Sequence, residues 1–229
     1  CSHEWQTSFE LIDVPALFVD DGDVSGRHAK IVFFDQNGRR FLEKRLDLLP
    51  HRRQTIDLAA LVGKNHGELG TFAVFHSTIP SAVTGMGSFL AERGYVSYCY
   101  RGAPLRAYVH GNLDAIAHGL DGHFEMLGAS SLRPREYRLQ HEMQGSVLYE
   151  LAMVNPTSVE QWCACQLVSI RSGSISSIQR FKLVPGGVYL ASLQIDKTEP
   201  VRVVIKSRLI MARPLVFRIQ NLKMDVFHG

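Results

Sequence analysis

The residue types best suited to chemistry crowd into Tyr108-Val-His-Gly-Asn-Leu-Asp-Ala-Ile-Ala-His-Gly119, which holds His110, Asn112, Asp114 and His118. His110 and Asp114 are four residues apart, as are Asp114 and His118. On a helix that spacing puts all three on one face. Two imidazoles and a carboxylate with an open fourth position are what zinc or another divalent metal needs for hydrolase or lyase chemistry. Against this stand Gly111 and Gly119, which bracket the segment, and the absence of an H-E-x-x-H pattern. A metal-free alternative makes Asn112 or Asp114 the cap of a short helix, with the histidines bonded to backbone. His110 with Asp114, or His76 with a nearby serine, would be an acid–base pair. No G-x-S-x-G elbow is present, however, and such an elbow needs an α/β setting. His76 reads instead as the end of a buried strand.

Tyr95, Tyr98, Tyr100 and Tyr108 lie just before these residues. Aromatic faces cover the C–H faces of a sugar while polar side chains bond its hydroxyls. The ligand-binding set read from the sequence is therefore Tyr98, Tyr100, Arg106, Tyr108, His110, Asn112 and Asp114. Tyr98 and Tyr100 share one face of a strand, and one face of that strand belongs to the core. Arg101, Arg106, Arg133, Arg135 and Arg138 would receive an anionic ligand or pair with Glu136, Glu142 and the aspartates.

The elements that must position these residues read as short strands. Thr71-Phe-Ala-Val-Phe-His76, Gly94-Tyr-Val-Ser-Tyr-Cys-Tyr100 and Val201-Arg-Val-Val-Ile205 are rich in β-branched and aromatic residues, as strands require. Asp35-Gln-Asn-Gly38 and Arg171-Ser-Gly173 are tight turns, and Pro50 and Pro185 end strands. In register, Gly38 falls on Gly173, Leu48 on Leu183, Pro50 on Pro185 and Leu58 on Leu193. This grammar predicts an all-β chain of two similar antiparallel β-sandwich units, an internal repeat. Residues 1–105 form the first unit and 146–229 the second. Residues 106–145 form a partly helical or irregular central connection, which carries the candidate site. Such long connections are commonly functional.

Leu48-Leu-Pro-His-Arg-Arg-Gln-Thr-Ile-Asp-Leu58 with Gly70-Thr-Phe-Ala-Val-Phe-His-Ser-Thr-Ile-Pro80 resembles the small β-sandwich of the sensory rhodopsin transducer family. In the second half Leu183-Val-Pro185 and Val203-Val-Ile-Lys-Ser207 carry the same resemblance. It implies a non-enzymatic binding or assembly module, and the central stretch has no counterpart in so small a domain.

The chain has 229 residues, 45% hydrophobic and 21% charged, with a formal charge of +3 from 25 basic and 22 acidic residues. That composition is globular and lacks the concentrated basic surface of a nucleic-acid binder. No apolar run reaches the roughly 18–20 residues that span a bilayer. Cys1, Cys99, Cys163 and Cys165 show no disulfide framework, and Cys163 and Cys165 would share a strand face, poorly placed to pair. These features point to the cytoplasm, or to a lipid-anchored or secreted protein if Cys1 is a processed N-terminus. The leading expectation is a ligand-binding or assembly module. Its ligand would be a carbohydrate or anionic small molecule near residues 95–125, with a homo-oligomer as a further partner. It needs no cofactor. The alternative is a hydrolase or lyase, metal-dependent through His110, Asp114 and His118.

Overall fold

Alternation along the chain sets the strands. In Tyr95-Val-Ser-Tyr-Cys-Tyr100, Val96 joins an apolar cluster while Ser97 lies on the opposite face. A computed structural model describes residues 4–19, 26–63, 69–76, 94–111, 116–119, 122–145, 147–193, 195, 199–210, 213–221 and 223–229. Nearly all of them are in strands and connecting turns.

The first half supplies β1 (Trp5–Leu11), β2 (His28–Asp35), β3 (Arg40–Asp47), β4 (Gln54–Asp57), the single-turn α1 (Leu58–Val62), β5 (Gly70–His76), β6 (Tyr95–Tyr100) and β7 (Ala107–His110). Asp57 caps α1 by accepting from the amides of Ala59 and Ala60 at 2.9 and 3.3 Å. These strands make two antiparallel sheets, ordered β4-β1-β6-β7 and β3-β2-β5.

A small hairpin follows, β8 (Ile116–His118) with β9 (Phe124–Met126), and then the long β10 (Ser130–Met143). The second half supplies β11 (Leu148–Val154), β12 (Gln161–Ser169), β13 (Ile175–Leu183), β14 (Val188–Leu193), β15 (Val201–Leu209), β16 (Leu215–Gln220) and β17 (Lys223–His228). Its sheets are ordered β14-β11-β16-β17 and β10-β15-β12-β13.

Strand for strand, the two halves follow one order. Exchanging each of β1–β7 for the strand of the same rank in β11–β17 turns the first pair of sheets into the second, with β10 added at an edge. The β2–β3 and β12–β13 hairpins both turn on a glycine of positive φ, Gly38 at 73° and Gly173 at 71°. Few other residues adopt that conformation without strain.

Residues 106–145 do not form a free-standing connection. They give β7 to the first half's sheet and β10 to the second's, and no helix occurs among their described residues. The reason lies in what they cover. Phe124 packs on Phe34 of β2 and Phe75 of β5, with centroids 6.2 and 5.5 Å apart. The β8–β9 hairpin thereby shields the outer side of the β3-β2-β5 sheet, where Phe34 is buried.

Each half has its own apolar cluster. Leu151, Met153, Cys163, Leu183, Val203, Ile205 and Val216 centre the second, and Phe9, Ile31, Phe33, Val96 and Val109 the first. Full burial of such a side chain contributes about 1.5–3 kcal/mol. The first cluster also takes Phe217 and Val226 from β16 and β17. Val216 points into one core and Phe217 into the other, so the β14-β11-β16-β17 sheet serves both.

The junction is close elsewhere too. The amide of Val188 donates to the carbonyl of Gln36 at 3.0 Å, and a Cβ on Gly38 would strike the Pro185 carbonyl. Beside this contact sits Asn155, with no exposed surface. Its Nδ2 donates to the carbonyls of Val159 and Leu183, and its Oδ1 accepts from the amide and hydroxyl of Thr157.

Candidate functional site

Strand pairing on the outer side of the β4-β1-β6-β7 sheet arranges polar residues in two rows. One runs Asp57, Ser8, Ser97, Tyr108 and the other Thr55, Glu10, Tyr95, His110. Directly opposed residues stand with Cβ atoms about 4.5–5.5 Å apart, so each row is a run of touching side chains. The alternate residues Phe9, Val96 and Val109 face the core. Tyr95 and Tyr108 are 54% and 50% exposed, large aromatic surfaces left in water.

Just before β7, Arg106 reaches back over this face. Its Nη1 donates to Ser8 Oγ at 3.1 Å and to Ser97 Oγ at 3.2 Å. Both serines are buried, Ser97 completely. The turn between β6 and β7 closes over one end of the sheet and leaves an open cleft of about 500 Å³, lined by Gln6, Cys99, Leu105, Arg106 and Tyr108 among others. Cys99 is buried and donates its thiol to the Ala103 carbonyl at 3.3 Å. Glu10, almost fully buried, faces the Arg53 guanidinium at 3.5 Å.

The sequence-derived ligand set divides on this geometry. Arg106, Tyr108 and His110 share the outer face. Tyr98 and Tyr100 do not. Tyr98 packs against Trp5 and Phe217 with centroids 6.3 and 5.0 Å away, and Tyr100 lies 5.0 Å from Trp5. These rings fill the aromatic junction between sheets, and burial raises the Tyr98 phenol above its usual value. They are taken out of the ligand surface because the parity that puts Tyr108 outside puts them inside. Asn112 and Asp114 lie outside the described residues, as does Cys1.

The metal triad is placed only in part. The His110 ring lies tilted against His228 of β17 at 4.7 Å and donates Nδ1–H to the Gly111 carbonyl at 3.0 Å. His118 sits in β8, with its ring 4.8 Å from Phe124 and 5.4 Å from Phe75. That is an aromatic packing role in the covering hairpin. No group of three histidine, cysteine or acidic side chains is placed to hold a metal ion among the described residues. His76 ends β5, and its pKa is lowered, first by burial and then by the charge of Arg27, with Asp13 opposing.

Ser8 and Ser97 had no part in the sequence reading. Nothing local distinguishes them from other strand serines, and only the pairing of β1 with β6 brings them under Arg106. Trp162 is 66% exposed with Lys182 Nζ 5.8 Å above its ring, but it lies on a different sheet.

No protein-family model matches this chain, and no curated protein matches it. No helix among the described residues is long and apolar enough to cross a membrane.

Proposed function

We propose that the protein is a non-enzymatic binding module that takes a carbohydrate on the outer face of the β4-β1-β6-β7 sheet. The observation that carries this reading is the pair of half-exposed tyrosines, Tyr95 and Tyr108, on one face with Arg106 and His110. Tyrosine offers a flat apolar ring at small entropic cost, and flanking polar groups fix the orientation of sugar hydroxyls. The side chains stand on paired strands, and a site built on strands holds its geometry better than one on loops. The resemblance of each half to a non-enzymatic sandwich points the same way.

Glycan-array binding by the full chain tests this, followed by titration with the best glycan. Tyr108→Ala and Tyr95→Ala should each weaken binding about tenfold, the loss of about 1.4 kcal/mol. Unchanged affinity in both variants, or no saturable glycan binding by the parent, would overturn the reading.

A further inference from the structure

We infer that the glycan is acidic and that Arg106 is the receptor for its carboxylate, an inference that rests on the proposed sugar-binding face. Nη1 of Arg106 is occupied by the two serine hydroxyls beneath it. Guanidinium is a planar fork of five N–H donors, so among the described residues Nε and Nη2 remain to present a second, parallel pair. That is the geometry that matches a carboxylate.

The surroundings explain why the charge is available. Other arginines beside this sheet face acids: Arg53 meets Glu10 and Arg101 meets Glu4. Arg106 is held by neutral hydroxyls instead, and among the described residues no carboxylate pairs with it. Ser8 and Ser97 oppose each other directly across β1 and β6 and are buried beneath it. They orient the guanidinium without cancelling its charge, so part of the ordering cost of binding is met before a ligand arrives.

Tyr108 is the cross-strand neighbour of Ser97, so an aromatic face stands beside the guanidinium. An open depression lies in front of both. A sugar ring laid on Tyr108 would bring an exocyclic carboxylate to Arg106. One cation that no carboxylate pairs among the described residues suits a monoanion, which favours a uronic acid over a phosphate monoester.

The test is calorimetric titration of the full chain with three probes: a glucuronate-terminated disaccharide, its neutral glucose counterpart and glucose 6-phosphate. The glucuronate probe should bind at least about tenfold more tightly than the other two, and its advantage should shrink as salt is raised from 20 to 500 mM. Arg106→Gln should bring acidic and neutral probes to equal affinity. Arg106→Lys, which keeps the charge but loses the fork, should recover little of the difference. The salt dependence of the parent needs no variant and stands even if a substitution impairs folding. Equal affinity of the parent for the glucuronate and neutral probes overturns the carboxylate assignment and leaves the binding face intact. A preference that survives Arg106→Gln overturns the assignment to Arg106, and tighter binding of the phosphate overturns the choice of anion. Binding of no probe overturns this inference, and the proposed function falls with it only if the glycan array shows no saturable binding either.

Discussion

His228 donates its Nε2 proton to the carbonyl oxygen of His110 at 3.1 Å, and the two imidazoles lie 4.7 Å apart. The last strand of the second sandwich is thus fastened to the last strand of the first. A carbonyl can only accept, so the tautomer of His228 is set, with its proton on Nε2.

Acid should loosen this fastening. His228 is held below its ordinary value of 6.5, first by burial and then by His110 and Arg213, with the bond to the His110 carbonyl opposing. The unfolded chain therefore binds a proton near pH 6.5 that the folded chain refuses. This contribution to stability is whole above that pH and is lost as the pH falls from there through the lower folded-state value. Thermal unfolding should begin at a lower temperature at pH 5.5 than at pH 7.5. In His228→Phe the difference should narrow, with the similarly depressed His76 supplying what remains. Identical pH dependence in parent and variant would refute the role of His228.

Phe217 should couple the two halves thermodynamically. Its ring lies 4.9 Å from Trp5 and 5.0 Å from Tyr98, while its neighbour Val216 is fully buried in the other core. Phe217→Ala should cost about 3–5 kcal/mol, the usual result of emptying a buried aromatic site. Because one sheet serves both cores, denaturant unfolding followed by circular dichroism should show a single shifted transition. Two resolved transitions in the variant or the parent would show the halves to be independent.

Asn155→Ala should be nearly as damaging, although it removes no apolar surface. It would take the side-chain partner from the carbonyl of Leu183 and from the amide of Thr157 in a buried site, while the Thr157 hydroxyl keeps the Val159 carbonyl and Gln161 Nε2. Unsatisfied groups cost about 1–3 kcal/mol each, so a loss of about 2–4 kcal/mol is expected in chemical denaturation. Asn155→Asp should cost at least as much, because it sets a carboxylate against the carbonyls of Val159 and Leu183 in a fully buried site.

How far the sequence revealed this arrangement depends on the range of the signal. The β6 pattern was legible because alternation is local, and the common face of Tyr98 and Tyr100 followed from it. Which of the two faces met the core was not legible, since that depends on the distant Trp5 and Phe217. The seat of Arg106 was hidden for the same reason. β10 is not legible because Leu-Arg-Pro-Arg-Glu-Tyr137 reads as polar and Pro134 breaks the pattern. Proline is tolerated on the edge strand that β10 is, and its register with β15 shifts between Ser130 and Arg135. Residue type and spacing point His118 to chemistry, whereas its aromatic packing depends on a hairpin closed by the later Phe124.

Cys163 and Cys165 should be inert in the native protein. Burial pushes both thiols up to about 11, and only the thiolate reacts. With iodoacetamide at pH 8, peptide mass spectrometry should find both unmodified in the folded chain and fully alkylated in denaturant. Rapid native labelling of either would show that β12 opens readily.

The traffic of Phe217 and Val226 into the first core has a consequence for the order of synthesis. A ribosome makes β1 through β7 long before β16 and β17. The early strands can pair, but their apolar centre stays unfinished until the late ones emerge. The nascent N-terminal half must therefore wait with its aromatic interior partly open, which is when a chaperone would find it.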